Sequence, residues 1–318
     1  MSEKDKPHTS WAGMHWKRPI VSMFEHISTN VGPEENTMPL SPSQIPHQLL
    51  GLPWQFLVLG LALCLIFSAL GFKRVEYFVS LGYAASVAAQ AIAFPFLYRD
   101  TIRGLALLQA GLLLAYGLRL GIFLALRDRV PSFQKQRAGN TESGIKVGGT
   151  IKVAIWVGVS FFYVLLFLPA LLTMSAQAGG MALASAPVGI LLMSAGLGLE
   201  ACADWQKSEF KKRNPSRFCD LGLYSVVRFP NYFGEMVFWL GVWVSAMSTY
   251  RTLAAWALGS LGFLFIVLVM VGASRRLELK QSKTYASNAA YEAYSRRVPI
   301  LLPFLPIYSL RSPKVRQR

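Results

Sequence analysis

Residues 222–235, which read GLYSVVRFPNYFGE, place charged and polar side chains at the start of an apolar segment. Pro230 suits the first position of a helix, so the sequence predicts that a helix begins there. The free backbone N–H groups of a helix N-terminus bind anions, and Arg228 would add a positive charge beside them. The pattern therefore predicts a site for an anionic group such as a phosphate.

The first two turns of this predicted helix carry Asn231, Tyr232 and Glu235. Because the helix continues into membrane-like sequence, Glu235 would be a carboxylate below the membrane surface. Ionisable residues at such a depth are costly and mark functional sites. We therefore take Glu235 as the first candidate site residue, with Asn231 and Tyr232 beside it.

An apolar segment at residues 102–126 contains Tyr116 and Arg119. An arginine within a membrane is costly unless it is paired or hydrated, so Arg119 is expected to face a cavity or a carboxylate. The alternative is a side chain that snorkels to the membrane surface. Tyr116, one turn deeper, has an O–H group that could donate a proton to a developing enolate oxygen. Taken alone, Tyr116 is equally compatible with a core or interfacial aromatic residue.

A further polar stripe consists of Glu200, Asp204, Ser208 and Lys211, whose spacings place them on one face of a helix. This stripe could line a cofactor pocket. For Ser208 and Lys211 the simpler interpretation is the solvated end of a helix. Glu200 and Asp204 lie nearer the apolar segment, which favours a functional role.

Composition indicates what kind of protein positions these residues. The chain has 53% hydrophobic and 15% charged residues over 318 positions, which excludes an ordinary soluble domain. A membrane-spanning helix needs about 20 apolar residues. Seven segments reach or approach this length: 49–72, 75–98, 102–126, 151–174, 181–203, 231–248 and 252–274. The predicted fold is all-α, a polytopic membrane protein with about seven transmembrane helices.

The net charge of +16 is concentrated in the loops after the first, third and fifth segments and in the C-terminal tail. By the positive-inside rule these parts face the cytoplasm, and the N-terminus lies on the far side. The distribution therefore indicates membrane orientation and not nucleic-acid binding. We predict an integral multi-pass protein with a cytosolic C-terminus and the lipid bilayer as a partner.

Residues 1–48 are polar and Pro-rich and are predicted to form a flexible tail, and residues 307–318 form a basic tail. All four histidines lie in the N-terminal tail, so a histidine base or histidine-ligated metal is not expected in the membrane body unless the tail folds back. Cys64, Cys202 and Cys219 lack metal-site spacing. We predict no metal site, and chemistry from carboxylates, tyrosines and basic groups.

Residues from about 200 to 303 resemble the C-terminal domain of the steroid 5-alpha-reductase superfamily, in particular a membrane branch with the pattern D-x-Q-K and then G-L-W-x-x-S-R-H-P-N-Y-x-G-E. The corresponding residues here are Asp204, Gln206, Lys207, Gly222, Leu223, Tyr224, Arg228, Pro230, Asn231, Tyr232, Gly234 and Glu235. A weaker tail pattern matches at Glu292, Tyr294, Arg297, Pro299, Leu302, Pro303 and Phe304. The chain departs from the pattern at Phe229, where the family has histidine.

The resemblance implies a seven-helix fold with a cytosolic NADPH pocket in residues 175–306 and a substrate side in residues 49–174. It also implies that Asn231 and Glu235 contact the cofactor. Tyr116 looks like the tyrosine that polarises the substrate carbonyl in the steroid enzymes. Four further residues fall near positions that bind the dinucleotide: Asp204, Lys211, Arg217 and Glu278.

The leading hypothesis is a membrane oxidoreductase that uses NADPH to reduce a conjugated C=C bond of a lipophilic substrate, sterol or isoprenoid in class. Tyr116 would be catalytic. The candidate cofactor-binding residues are Asn231, Glu235, Asp204, Arg228, Tyr232, Lys211, Arg217, Glu278 and Arg119. By the same resemblance the protein would lie in the endoplasmic reticulum of a eukaryote, or in the inner membrane of a bacterium.

Two alternatives remain open. Isoprenylcysteine carboxyl methyltransferases share the R-H-P-x-Y-x-G element and bind S-adenosylmethionine, but they use the histidine that Phe229 replaces. The other alternative is a non-catalytic lipid-binding membrane protein. It is favoured by the second segment, which has no carboxylate beyond Glu76 where the steroid enzymes have a glutamate opposite the tyrosine.

Overall fold

The computed structural model describes residues 52–130 and 147–311, and within these ranges the chain is helical and contains no strand. The helices are α1 (Trp54–Ser68), α2 (Leu81–Leu97), α3 (Leu105–Asp128), α4 (Gly149–Ala178), α5 (Ala186–Arg213), α6 (Pro230–Ser245), α7 (Leu253–Thr284) and α8 (Ala289–Arg297). Short 3₁₀ helices occupy Ala69–Phe72, Val75–Tyr77, Gly222–Ser225 and Met247–Thr249. The predicted all-α fold is confirmed. The predicted N-terminal tail, 1–48, and residues 312–318 of the predicted basic tail lie outside the described residues.

Six of the described helical segments are long and apolar enough to cross a membrane: Trp54–Phe72, Val75–Leu97, Leu105–Asp128, Gly149–Ala178, Ala186–Arg213 and Leu253–Thr284. The sixth predicted segment, 231–248, corresponds to α6, which has only 16 residues. This helix begins at Pro230, as predicted, and its interior residues Phe238, Trp239 and Val242 are buried. The other residues of this helix are buried or half-buried and none is exposed, so it belongs to the core of the bundle.

The end of α1 packs against α4 at one end of the bundle, and just after α1 Tyr77 donates to Asp128, the last residue of α3, at 2.6 Å. Ser68 and Ser160 hydroxyls lie 2.9 Å apart, and the Trp156 indole donates to the Leu65 carbonyl at 2.9 Å. We call this the basic end, because the loops that follow α1, α3 and α5 carry most of the positive charge. The lysines and arginines of these loops and flanking turns include Lys73, Arg74, Arg127, Arg129, Lys212, Arg213 and Arg217.

Helices α5 and α6 make the most extensive contact of the bundle. Four glycines line it: Gly189 and Gly196 on α5, Gly234 and Gly241 on α6. A Cβ atom on Gly196 would lie 2.3 Å from the backbone nitrogen of Phe238, and one on Gly234 would lie 2.7 Å from that of Glu200. Small residues allow membrane helices to approach to backbone contact. This approach brings the carboxylate-bearing turns of α5 and α6 side by side.

Helices α2 and α3 also approach closely, at Gly117. A Cβ atom there would lie 2.9 Å from the carbonyl oxygen of Ala84. Tyr83 and Tyr116 are the chain neighbours of these two residues. The close packing therefore brings the two tyrosines together in the centre of the bundle.

Candidate functional site

Two tyrosines, a glutamate and a tryptophan form a buried hydrogen-bonded group that we call the tyrosine cluster. Tyr116 donates its hydroxyl hydrogen to Glu235 Oε1 at 2.8 Å. Tyr83 Oη lies 2.9 Å from Tyr116 Oη and 3.2 Å from the same Glu235 oxygen. The Trp239 indole N–H donates to Tyr83 Oη at 2.7 Å. Side chains from α2 and α3 thus converge on one carboxylate oxygen of α6.

Aromatic packing fixes the tyrosine rings of the cluster. Phe238 stacks on Tyr116 with ring centroids 4.4 Å apart and an interplanar angle of 13°. Tyr163 packs on Tyr83 at a centroid distance of 5.2 Å. Tyr116 is fully buried, with 0% of its surface exposed. Rings held in this way keep their hydroxyl groups in a defined position, which suits a catalytic donor.

Arg119 lies one turn from Tyr116 and forms ion pairs with two carboxylates of α5. Its guanidinium is 2.9 Å from Asp204 Oδ2 and also contacts Glu200 Oε1. The expectation that Arg119 faces a carboxylate is confirmed. Glu200 and Asp204 are both buried, so the pairing compensates charges that the bundle would otherwise not accommodate.

A second polar region, the basic pocket, lies at the basic end. It is lined by Lys207, Lys211, Phe218, Cys219, Tyr224, Arg228, Gln281, Tyr285 and Tyr294. Burial raises the pKa of Cys219, Tyr224 and Tyr294, so these three side chains stay neutral. The charge of the pocket therefore comes from its lysine and arginine side chains. The cavity encloses about 30 Å³, which is space for roughly one water molecule.

Arg228 and Glu278 lie beneath the C-terminal segment, both with side chains only 1% exposed and 3.6 Å apart. Arg228 also donates to the Tyr308 carbonyl, and Glu278 accepts from the Leu310 amide at 2.9 Å. The sequence predicted a site for an anionic group beside Arg228. In the structure one guanidinium nitrogen of Arg228 faces Glu278 and the Tyr308 carbonyl, and the buried Nε has no hydrogen-bond partner.

The remaining predicted cofactor residues are dispersed. Lys211 donates to the carbonyl oxygens of Pro215 and Arg217 and to the Tyr285 hydroxyl, so it holds the loop after α5. Arg217 lies at the surface, paired with Asp220 at 3.0 Å. Two more, Asn231 and Tyr232, are half-buried in the first turn of α6.

The structure therefore separates the predicted set. It brings Tyr116 and Glu235 together in the tyrosine cluster and places Arg119 with Asp204 in the ion-pair group beside it. Arg228 and Lys211 line the basic pocket. In the tyrosine cluster and the ion-pair group, three residues were not predicted as site residues, namely Tyr83, Trp239 and Glu200, although Glu200 was recognised in the polar stripe. For Tyr83 the only available signal was a hydroxyl group in an Ala-rich apolar segment.

Comparison with known proteins identifies the family of this chain. Residues 72–298 match a family described as a protein of unknown function, DUF1295. No curated protein and no solved structure matches the chain significantly. Since the match covers most of the chain, the protein belongs to DUF1295, a family of membrane proteins of unknown function related to steroid 5-alpha-reductase.

Proposed function

We propose that the protein is a membrane reductase that uses NADPH to reduce a conjugated C=C bond of a lipophilic substrate, sterol or isoprenoid-like in class. The observation that carries this proposal is the tyrosine cluster, in which Tyr116 donates to Glu235 at 2.8 Å inside the membrane bundle. A fixed O–H donor in an apolar interior stabilises negative charge on a substrate oxygen more strongly than water does. A lipophilic substrate would have to enter this buried site from the bilayer.

The residues of the basic end fit the anionic part of a dinucleotide. Lys207, Lys211 and Arg228 line the basic pocket, and Arg228 Nε is a buried donor without a hydrogen-bond partner. These residues would hold the cofactor's phosphates. The cavity of about 30 Å³ is smaller than a phosphate-bearing nucleotide, so binding requires the lysine side chains and the loop after α5 to move outwards.

Helix α6 connects the two regions. It begins at Pro230, beside the basic pocket, and Glu235 lies five residues further on, which is roughly 7.5 Å along the helix axis. A cofactor with its phosphates at the basic pocket would extend along this first turn, past Asn231 and Tyr232. NADPH supplies a hydride when bound, and this hydride would be delivered near the tyrosine cluster.

The other predicted cofactor residues would act mainly by holding this framework. Arg119 and Asp204 pair beside the cluster, and Glu278 fixes Arg228. Arg217 at the surface would attract the anionic cofactor. We further propose that the basic end faces the cytosol, where NADPH is available, and that the membrane is the endoplasmic reticulum of a eukaryote or the inner membrane of a bacterium.

Methyl transfer from S-adenosylmethionine has less support. Phe229 occupies the position of the methyltransferase histidine and is 1% exposed in the hydrophobic core. A phenyl ring offers no donor or acceptor to a cofactor. The alternative of a non-catalytic lipid-binding protein predicts no labelled lipid in the following experiment.

The proposal is tested with the purified protein in lipid nanodiscs, supplied with a membrane lipid extract and NADPH deuterated at the transferable position of the nicotinamide. Mass spectrometry should find a lipid that has gained one deuterium and one hydrogen. The Tyr116→Phe variant should lose this product and keep its fold. Unlabelled lipids with the wild-type protein, under conditions where NADPH binds, would refute the reductase assignment.

A further inference from the structure

The C-terminal segment forms an apolar loop whose end the fold leaves uncovered. Residues 304–308, which read FLPIY and which we call the apolar tip, are all exposed. Phe304 is 88% exposed, more than any other large apolar side chain of the described residues. A contiguous patch of exposed apolar side chains marks an interaction site, whereas single ones need no explanation. The apolar tip therefore has the composition of a contact surface.

Hydrogen bonds fix the base of this loop to the bundle. The Ile300 amide donates to the Ile307 carbonyl at 2.8 Å and closes the loop. The Arg228 amide, just before α6, donates to the Pro299 carbonyl at 2.9 Å. Ile300 itself belongs to the hydrophobic core that the helices share. The fold thus holds the apolar tip outwards on a base that is buried.

The base of the loop lies where the bundle leaves the hydrocarbon core of a membrane. Helix α7 carries no charged residue before Arg275 and Arg276, and arginines of this kind mark a membrane boundary. Glu278 follows two residues later, roughly 3 Å further along the helix axis. It accepts a hydrogen bond from the Leu310 amide at 2.9 Å. The loop that ends at Leu310 therefore lies at the level of the lipid headgroups.

The chain on both sides of the apolar tip is cationic. After Glu292 the sequence has no acidic side chain, but it has six cations: Arg296, Arg297, Arg311, Lys314, Arg316 and Arg318. The last three lie outside the described residues. Arg296 pairs with Glu292 and Arg311 with Glu278, and the segment still keeps a net positive charge. Clusters of about four to eight Lys and Arg residues beside a membrane helix attract anionic lipids.

We propose that the apolar tip is a membrane anchor, which inserts Phe304, Leu305 and Ile307 into the leaflet at the basic end while the surrounding cations bind the phosphates of anionic phospholipids. The bilayer fits both features, because acyl chains cover the apolar side chains and anionic headgroups pair with the cations. Tyr308 suits this position, since tyrosine is enriched where a ring meets lipid and its hydroxyl meets water. The anchor goes beyond the proposed reductase activity and does not depend on it.

The test places the photoreactive amino acid p-benzoylphenylalanine at position 304 of the full chain. The variant is studied in nanodiscs of phosphatidylcholine, alone or mixed with phosphatidylglycerol. The probe is aromatic and its position is exposed, so the fold should not change. After irradiation, mass spectrometry should find phospholipid attached at position 304. In the mixed nanodiscs phosphatidylglycerol should exceed its share of the bilayer among these adducts.

Two further probe positions make the result interpretable. Leu191 is exposed on the membrane-spanning part of α5 and should attach phospholipid without preference for a headgroup. Lys212 is exposed at the charged end of α5 and should attach almost none. No adduct at position 304, with an adduct at Leu191, would overturn the anchor. Attachment at position 304 to a second copy of the chain and not to lipid would also overturn it, and would make the loop a subunit interface.

The cations are tested separately in the chain that carries the probe at position 304. Each cation near an anionic surface strengthens the attraction by roughly fivefold. Replacing Lys314, Arg316 and Arg318 together with glutamine should therefore return phosphatidylglycerol among the adducts to its share of the bilayer. Lys212→Gln, which removes a cation far from the loop in sequence, should leave the preference in place. An unchanged preference in the triple variant would overturn the headgroup binding assigned to the C-terminal cations.

Discussion

The close contact between α5 and α6 determines how much a Gly196→Ala substitution should destabilise the fold. In a Gly196→Ala variant the new Cβ atom would lie 2.3 Å from Phe238 N, 2.6 Å from Gly234 O and 2.7 Å from Phe238 Cα. Carbon atoms in favourable contact are roughly 3.5–4.0 Å apart, so the two helices must separate by about 1 Å. All three neighbours are backbone atoms and cannot rotate away.

Overpacking of this kind costs about 1–3 kcal/mol and occasionally more, and the backbone clash places Gly196→Ala near 3 kcal/mol. Gly198 is the matched control on the same helix, because no atom outside its own stretch of α5 lies within 4 Å of its added Cβ. Gly198→Ala should be neutral or stabilising by about 0.5–1 kcal/mol, since alanine loses less backbone entropy on folding. Each variant adds one methyl group, and the two positions are only two residues apart in the sequence.

The assay is unfolding of both variants in the same detergent, at the same heating rate, because unfolding of membrane proteins is commonly irreversible. Each kcal/mol corresponds to roughly 2–4 °C in Tm for chains of 150–250 residues, so Gly196→Ala should unfold several degrees below Gly198→Ala. Equal melting temperatures for the two variants would refute the backbone contact between α5 and α6, and with it the placement of Glu200.

Three further variants test the ion pairs and the loop after α5. Arg119→Ala leaves two buried carboxylates without their cation and should lower the free energy of unfolding in urea by about 3–5 kcal/mol. As a control, Arg213→Ala at the surface should lower it by only about 0–1 kcal/mol. Equal losses in the two variants would contradict the buried pairing. Glu278→Ala should speed hydrogen exchange of the Leu310 amide, which donates a hydrogen bond to Glu278 at 2.9 Å. Unchanged exchange would argue that this hydrogen bond does not anchor the C-terminal segment. Lys211→Ala should increase proteolysis of the loop after α5 and weaken NADPH binding, measured by titration; unaltered binding would remove Lys211 from the cofactor site.

Much of the fold follows from apolar length alone. Segments such as 151–174 exceed the thickness of a membrane and can only be helices there, so their positions could be predicted. The start of α6 at Pro230 was also predictable, from the restricted backbone of proline. The length of α6 was not, because this helix of 16 residues is stabilised by the helices around it. Burial by neighbouring helices is a tertiary property.

The site was predictable in part. Tyr116 and Glu235 were recognised by residue type, depth and motif, but their contact joins two residues that are 119 positions apart in the sequence. Tyr83 and Trp239 could not be assigned, because nothing in their local sequence separates them from core aromatic residues. For Arg228 the local pattern indicated a cation at an anion site, whereas its partners Glu278 and Tyr308 come from distant segments. Spacing predicts which residues share a helix face, and packing decides what that face meets.

Ligand-induced stabilisation tests the central claim most directly. The wild-type protein in detergent would be heated with NADPH, NADH or S-adenosylmethionine at matched concentrations. A ligand that binds only the folded state stabilises it by about 2.7 kcal/mol at 100 times its Kd. The account predicts a rise in Tm with NADPH that exceeds the rise with NADH and is absent with S-adenosylmethionine. A rise with S-adenosylmethionine alone, or with none of the three, would contradict it.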